Sequence, residues 1–107
     1  MKEARPTVTP RISSRRLRET LSEINGFGHD PATGGYDRPA FGDADMACRA
    51  RVAALMRDCR LRVRTDAVGN TFGRFGPADG PAILIGSHTD TVPQGGAFDG
   101  ALGVAAA

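Results

Sequence analysis

One stretch of the chain concentrates side chains that can bind a metal ion. The stretch is "GSHTDTVPQGGAFDG", residues 86–100, and it follows the apolar run "PAILIG". Its ionisable members are His88, Asp90 and Asp99. Imidazole and carboxylate groups are ordinary protein ligands of divalent cations. Catalytic groups in α/β proteins often lie just beyond the carboxyl end of a strand, so the position and the composition of this stretch both predict a metal site.

The spacing of His88 and Asp90 favours a joint role. Two residues apart on an extended segment, their side chains leave the same face. A metal-bound imidazole usually donates its second N–H to a carboxylate, so Asp90 is predicted to orient His88. Asp99 precedes a predicted helix, which would place its carboxylate near the positive end of the helix dipole. A hydrogen-bonded His–Asp pair with a purely structural role is the alternative, and the pair alone leaves it open.

Two helices are predicted before this stretch. Ser13 or Ser14 can cap the first helix, because a serine hydroxyl accepts from exposed backbone N–H groups, and Gly26 ends it. The second helix is predicted to start from a cap at Asp43 and to run to about Arg60. A loop dense in Gly and Pro separates the two helices.

Three strands and a last helix are predicted to follow. "LRVRTD" alternates apolar and charged residues, which predicts a half-buried strand from Leu61 to about Thr65. "AVGN" supplies a turn, in which Asn70 makes a local hydrogen bond, and "TFGRF" returns as a second strand. "AILIG" shows no polar alternation and is predicted to be a strand buried on both faces. With a helix beginning near Gly100, the predicted fold class is α/β.

Length and composition narrow the possible classes of protein. A chain of 107 residues is enough for one small domain. It has no apolar segment of about 20 residues that could span a bilayer and no apolar core of a secretory signal, so no membrane partner and a cytoplasmic location are expected. Cys48 and Cys59 would lie about 16 Å apart on one helix, too far for a disulfide, and are predicted to be reduced core thiols.

The N-terminal residues are unusually basic. Six basic residues and one acidic residue fall within residues 1–18, and residues 1–12 are predicted to be a disordered basic arm. Binding of nucleic acid through this arm is ranked last among the functions considered, because no aromatic residues or recognition helix accompany it. No nucleic-acid partner is therefore expected.

Three segments together resemble one protein family. "GSHTDTVPQGGAFDG" resembles the metal-site signature of the M20 family of metallopeptidases and amidohydrolases, and in particular its branch of N-carbamoyl-L-amino acid hydrolases and allantoate amidohydrolases. "GGYDRPAF" and "DAVGNTFGRFGP" also resemble segments of that branch, and the resemblance extends from about Leu17 to the last residue. The short spacing between His88 and Asp99 is similar to that in this branch, whereas the peptidase branches usually have an insertion between the two positions.

The resemblance implies a fold, a cofactor and roles for site residues. Residues 13–107 would be the N-terminal portion of a zinc-peptidase-like α/β catalytic domain, with an incomplete sheet and flanking helices. His88 would bind one metal ion, Asp99 would bridge two, and Asp90 would act in catalysis by orienting His88. The cofactor would be two divalent ions, Zn²⁺ or Mn²⁺, which would activate water against a linear amide or ureido C–N bond. Full-length relatives are expected to be homodimers.

The chain departs from the family pattern in two ways. Arg60 stands where relatives usually carry Gly, so either a left-handed cap there costs about 1 kcal/mol or the helix ends differently. The family also needs a Glu–Glu pair and further His ligands after the Asp99 motif, and these are absent from the sequence. The expectation is therefore an N-terminal fragment of an amidohydrolase that is inactive by itself. The alternative is a truncated remnant of the family with no activity at all.

Two residues of the Gly-rich loop could contact substrate. Arg38 is a candidate for holding a substrate carboxylate through a bidentate fork, and pairing with the adjacent Asp37 is its alternative. His29 could also approach substrate, although a solvated loop histidine is the simpler interpretation.

Overall fold

The computed structural model describes residues 9–107, and over this range it contains three helices and two strands. In chain order they are α1 (Ser14–Ile24), α2 (Asp43–Asp58), β1 (Arg62–Thr65), β2 (Thr71–Arg74) and α3 (Ala101–Ala106). Helices combined with a two-stranded sheet agree with the predicted α/β class. Most of the predicted basic arm lies outside the described residues. Over the described range, no helix is both long and apolar enough to cross a bilayer. The cytoplasmic location stays a prediction.

Helix α1 begins where its sequence predicts. The Ser13 hydroxyl accepts from the backbone N–H of Arg16 at 3.3 Å, which satisfies one of the free donors at the helix start. The helix ends at Ile24, and the backbone N–H of Asn25 caps it by donating to the Leu21 carbonyl at 2.9 Å. Gly26 follows directly, so the predicted end is confirmed.

Helix α2 starts one position away from the prediction. Gly42 is the N-cap, and no side chain caps the helix. Asp43, predicted to be the cap, is instead the first helical residue, and with Asp45 it puts two acidic residues into the first turn. Acidic side chains stabilise a helix start through the exposed N–H groups, and they can do so from within the first turn without occupying the cap position.

Helix α2 ends in a left-handed residue, the first of the two outcomes left open for Arg60. Arg60 has a φ of 62°. Its N–H donates to the Arg57 carbonyl at 2.8 Å, and the Leu61 N–H donates to the Met56 carbonyl at 3.0 Å. This pair of bonds is the Schellman motif, in which glycine normally provides the left-handed residue. Arg60 therefore holds strained backbone where a glycine would be relaxed.

Replacing Arg60 by glycine should stabilise the chain. The change removes the Cβ that makes a positive φ costly, and we expect Arg60→Gly to raise the free energy of unfolding by about 0.5–1 kcal/mol. Arg57→Gly is the matched control, because Arg57 is equally exposed but helical, and there the change should lower stability by about 1 kcal/mol. Urea unfolding measures both. Equal destabilisation by the two substitutions would contradict the assignment.

Strands β1 and β2 form an antiparallel hairpin in which Arg62 pairs with Arg74 and Thr65 with Thr71. The turn is organised by Asp66, whose Oδ1 accepts from the backbone N–H of Val68 at 3.1 Å and of Asn70 at 2.9 Å. The Asn70 side chain also donates to Asp66 Oδ2 at 2.9 Å. The local role predicted for Asn70 is therefore confirmed, and so are the first two predicted strands.

The third predicted strand, "AILIG", is not formed. Over residues 9–107 the only sheet is the β1–β2 pair, and the apolar run is open to solvent, with Ile83, Leu84 and Ile85 exposed to 94%, 79% and 66%. The prediction of a strand buried on both faces is wrong for this structure. An apolar run shows that a segment would favour burial, but a strand also needs a neighbouring backbone to pair with, and none of the described segments provides it.

The core lies where the three helices meet. Ile24 of α1, Cys48 and Val52 of α2 and Ala101 of α3 are buried against one another. Both cysteines are free thiols, as predicted, but Cys48 is buried and Cys59 is exposed, so the description as core thiols is wrong for Cys59. Burial raises the pKa of the Cys48 thiol, because the thiolate loses its solvation. This core fixes α3 against α1, immediately after Asp99.

Candidate metal centre

The segment from His88 to Thr91 alternates its side chains between two environments. The Thr89 hydroxyl and the Thr91 hydroxyl turn inward, where they bond to the carboxylate of Asp45 and to the carbonyl of Tyr36. His88 and Asp90 face solvent, with side chains that are 49% and 37% exposed. This alternation is the period of extended backbone, so the predicted common face of His88 and Asp90 is present although no strand is formed.

The imidazole of His88 is held in one orientation. Its Nδ1 lies 2.9 Å from the main-chain carbonyl of Asp90 and 3.3 Å from the Asp90 carboxylate. Both of those oxygens can only accept, so a proton on Nδ1 satisfies them and the lone pair falls on Nε2. The structure thus brings Asp90 to the nitrogen it was predicted to orient, and the main-chain carbonyl is the closer of its two oxygens.

The other ring nitrogen of His88 faces Asp99. His88 Nε2 lies 3.4 Å from Asp99 Oδ1. Bonds of about 2.0–2.2 Å from one zinc ion to a histidine nitrogen and a carboxylate oxygen place the two atoms about 3.3–3.5 Å apart in tetrahedral coordination. The separation fits one shared ion. Within residues 9–107, no group of three His, Cys, Asp or Glu side chains converges on a point, so the described chain offers this pair of ligands.

Gly100 allows helix α3 to begin against the histidine. Its φ is 73°, and a Cβ there would lie 2.5 Å from both Cε1 and the carbonyl oxygen of His88. Gly103, one turn later, would meet the Ser87 side chain at 2.7 Å in the same way. Missing Cβ atoms at these two positions therefore let α3 approach residues 87 and 88, which sets the distance between His88 and Asp99.

A methyl group at Gly100 should displace His88. We expect Gly100→Ala to move the imidazole, to weaken divalent-metal binding, and to lower the free energy of unfolding by more than about 1 kcal/mol. Gly34→Ala is the matched control, because Gly34 has a similar φ of 77° with nothing within 4 Å of an added Cβ. NMR signals of the His88 ring and urea unfolding report the two effects. If both variants left the His88 signals unchanged, the close approach would be refuted.

Arg38 has a different environment from the one predicted. Its side chain is fully buried. Nε donates to the Thr89 carbonyl at 2.5 Å, and Nη1 donates to the Phe27 and Ile24 carbonyls at 2.6 and 3.0 Å. In the described chain the guanidinium holds main-chain segments together and is closed to solvent, and the predicted contact with a substrate carboxylate stays a prediction.

The alternative partner predicted for Arg38 is engaged elsewhere. The Asp37 carboxylate accepts from the main-chain N–H and the Nε2 of Gln94, at 2.7 and 2.6 Å. His29 packs against the Tyr36 ring, with centroids 5.3 Å apart. The bonds from Gln94 to Asp37 join the Gly-rich loop to the loop before Asp99, whereas the His29–Tyr36 contact lies within the Gly-rich loop. Asp37 and Arg38 therefore tie the two segments to each other, which the sequence did not indicate.

Asp45 is a site residue that sequence analysis did not single out. Its carboxylate is fully buried. Oδ1 accepts from the Thr89 hydroxyl at 2.5 Å, and Oδ2 accepts from the Phe41 N–H at 2.9 Å and Arg49 Nε at 2.8 Å. Burial raises the pKa of Asp45, but these hydrogen bonds and the Arg49 charge outweigh it and hold the pKa below its ordinary value of 3.8. The only sequence signal was the spacing of Asp45 and Arg49 on one helix face.

The lowered pKa of Asp45 gives a pH dependence of known sign. Its ionised form stabilises the fold above pH 3.8, the ordinary value, and the contribution disappears as pH falls through the lower folded pKa. Asp45→Asn should therefore cost about 2 kcal/mol near neutral pH and progressively less as pH falls toward about 2.5. Urea unfolding of both proteins across this range measures the difference. A cost that stays constant with pH would show that Asp45 is not ionised in the fold.

The comparisons with known proteins agree on one family. The chain is 40% identical over 97 residues to an N-carbamoyl-L-amino acid amidohydrolase of Geobacillus stearothermophilus, covering 89% of this chain and 24% of that protein. It is 38% identical over 93 residues to the allantoate amidohydrolase of Escherichia coli (strain K12), covering 85% of this chain and 22% of that protein. No family model matches the chain.

A solved structure shows the same likeness in three dimensions. A hydantoinase/carbamoylase family amidase from Burkholderia ambifaria superposes with a TM-score of 0.80 and is 44% identical, over 88% of this chain and 24% of that chain. Fold and sequence together therefore define a relative of the amidohydrolases. Over most of its length the chain is similar to N-carbamoyl-L-amino acid and allantoate amidohydrolases, which supports the resemblance to that M20 branch predicted from its sequence. It spans about a quarter of the length of these relatives.

Proposed function

We propose that the chain supplies part of the dinuclear metal site of an amidohydrolase that cleaves a linear amide or ureido C–N bond. Residues 13–107 would be the N-terminal portion of a zinc-peptidase-like catalytic domain. The observation that carries the proposal is the His88–Asp99 pair, with Nε2 and Oδ1 3.4 Å apart while Nδ1 is engaged by Asp90. His88 and Asp99 would hold the ions, with Asp99 shared between them, and Asp90 would keep the His88 lone pair directed at the site.

The donor set supports zinc, with manganese as the alternative. One imidazole nitrogen and one carboxylate oxygen suit Zn²⁺, and added oxygen ligands would favour Mn²⁺. Bound divalent ions supply a Lewis acid that polarises the scissile carbonyl and lowers the pKa of water. The protein side chains hold the ions in place, and the Nδ1–H bond from His88 to Asp90 raises the basicity of the ligating nitrogen.

The described residues supply only part of the ligand set that a catalytic metal site needs. A catalytic zinc ion takes three protein ligands, and the His88–Asp99 pair supplies two. The two described glutamates, Glu19 and Glu23, are bonded to Arg15 and Arg51, so the general base that this chemistry needs is not identified among them. We propose that further ligands and the base complete the site, and that the 107 residues alone do not turn over substrate.

A shallow, open depression lies on the surface between helix α1 and the Gly-rich loop. Its volume is about 560 Å³, and it is lined by Arg18, His29, Tyr36 and Phe98 among others. His88, Asp90 and Asp99 do not line this depression, so the proposed substrate class rests on the relatives. The named relatives act on N-carbamoyl-L-amino acids and allantoate, and we propose substrates of that class here.

A chimera tests the function most sharply. Residues 13–107 would replace the matching quarter of the Geobacillus stearothermophilus enzyme, and we expect the product to hydrolyse N-carbamoyl-L-amino acids in a metal-dependent way. Asp90→Asn should lower kcat/KM about 10–100-fold, and His88→Ala and Asp99→Ala should lower it further. Asp79→Asn, at an exposed loop position, is the control and should have no effect.

The outcomes separate the two alternatives for this chain. A folded chimera that is active and loses activity with His88 and Asp99 supports the amidohydrolase. A folded chimera that binds no metal and has no activity identifies the chain as a remnant of the family. The 107-residue chain is assayed in parallel, and metal-dependent turnover by it would contradict the proposal that the site needs further ligands.

A further inference from the structure

Two fully buried charged side chains meet at the residue between His88 and Asp90. The Thr89 hydroxyl donates to the Asp45 carboxylate, and Arg38 Nε donates to the Thr89 main-chain carbonyl, both at 2.5 Å. Buried charges are costly unless they are paired and hydrogen-bonded. Neither side chain is exposed enough to contact substrate, so the concentration of charge on Thr89 needs another explanation.

Asp45 connects Thr89 to a rigid part of the fold. Its carboxylate lies on the first turn of α2, next to the core residue Cys48. Its other oxygen is occupied by Phe41 N–H and Arg49 Nε, and Arg49 in turn donates to the Gly69 carbonyl at 2.7 Å. Two bonds thus fix one oxygen of the carboxylate, and the third bond, from the Thr89 hydroxyl to the other oxygen, is the one that leaves this cluster.

Thr91, the next inward-facing residue of the segment, is fixed as well. The Thr91 N–H donates to the Arg38 carbonyl at 2.7 Å, and the Arg38 N–H donates to Thr91 Oγ1 at 3.0 Å. Thr89 and Thr91 are therefore both held on the inner side. Because side chains alternate along an extended segment, the inward direction of Thr89 determines the outward direction of His88 and Asp90.

We propose that Asp45 is a positioning residue of the metal site, which acts through the Thr89 hydroxyl to set the direction of His88 and Asp90. The inference rests on the proposed metal site for its consequence and on the described hydrogen bonds for its geometry. Asp45 contacts neither the ion nor the substrate. Its effect is on the orientation of the His88 ring, and therefore on which nitrogen is free to ligate.

Removing one hydroxyl tests the connection with little change in shape. Thr89→Val deletes the bond to Asp45 and keeps the volume of the side chain. Thr65→Val is the matched control, because Thr65 also has a hydroxyl partner, Thr71 Oγ1 at 3.5 Å, but lies in the hairpin. Thr89→Ser keeps the hydroxyl and should restore the wild-type behaviour. Asp45→Asn is the fourth variant, and the threonine pair carries the test if that variant does not fold.

Two measurements on the 107-residue chain give the result. With Mn²⁺ alone as the probe, paramagnetic broadening of NMR signals around His88 should show an affinity about 10–100-fold weaker in Thr89→Val and unchanged in Thr65→Val. In the metal-free chain at about pH 8, imidazole ¹⁵N shifts should report protonated Nδ1 in wild type and Thr89→Ser and a mixture of tautomers in Thr89→Val.

The two measurements distinguish a failure of the positioning role of Asp45 from a failure of the proposed metal site. If Thr89→Val folds with the wild-type tautomer of His88 and wild-type Mn²⁺ affinity, Asp45 is only structural and the inference is overturned. If wild type shows no Mn²⁺ broadening at His88 but the tautomer changes in Thr89→Val, positioning of the ring stands and the proposed metal function falls.

Discussion

The buried hydrogen bond between Asp45 and Thr89 joins the folded body of the chain to the proposed site. On one side stand helix α2 and the core residues Cys48 and Val52, and on the other the segment that presents His88. Close packing in the core fixes the position of α2. The segment after the apolar run has no sheet to hold it in the described chain, so its direction depends on side-chain bonds of this kind.

Close backbone approach is the second constraint on the site. Helix α3 begins at Ala101, a core residue, and reaches the histidine because Gly100 carries no side chain. The core thus fixes Asp99 through α3, and the buried charges fix His88 through Thr89. Two independent routes from the same core meet at a separation of 3.4 Å. This convergence is the structural reason for treating the pair as a site although each side chain is largely exposed.

Local signals in the sequence were sufficient for the elements that depend on neighbours along the chain. Ser13 caps α1, Arg60 ends α2, and the Asp66–Asn70 turn closes the hairpin, all through bonds that span a few residues. The motif also identified His88, Asp90 and Asp99 before their geometry was known. What local signals could not provide was the partner of a distant segment, because burial and strand pairing are decided by the rest of the fold.

Arg38 and the "AILIG" run are two segments whose contacts the local sequence did not predict. Arg38 looked like an exposed loop residue, yet the carbonyls of Ile24, Phe27 and Thr89 surround it. The apolar run looked like a buried strand, yet none of the described segments pairs with it and its large side chains face solvent. In each case the residue type indicated a charged or an apolar side chain correctly. The contacts of that side chain could not be predicted, since they depend on how other segments fold around it.

Anomalous X-ray scattering from crystals of the 107-residue chain soaked in Zn²⁺ would test the central claim most directly. The account predicts a peak within about 2.2 Å of both His88 Nε2 and Asp99 Oδ1, with His88 Nδ1 still bonded to Asp90. A peak on Nδ1, or zinc bound elsewhere while His88 and Asp99 stay bare, would contradict it.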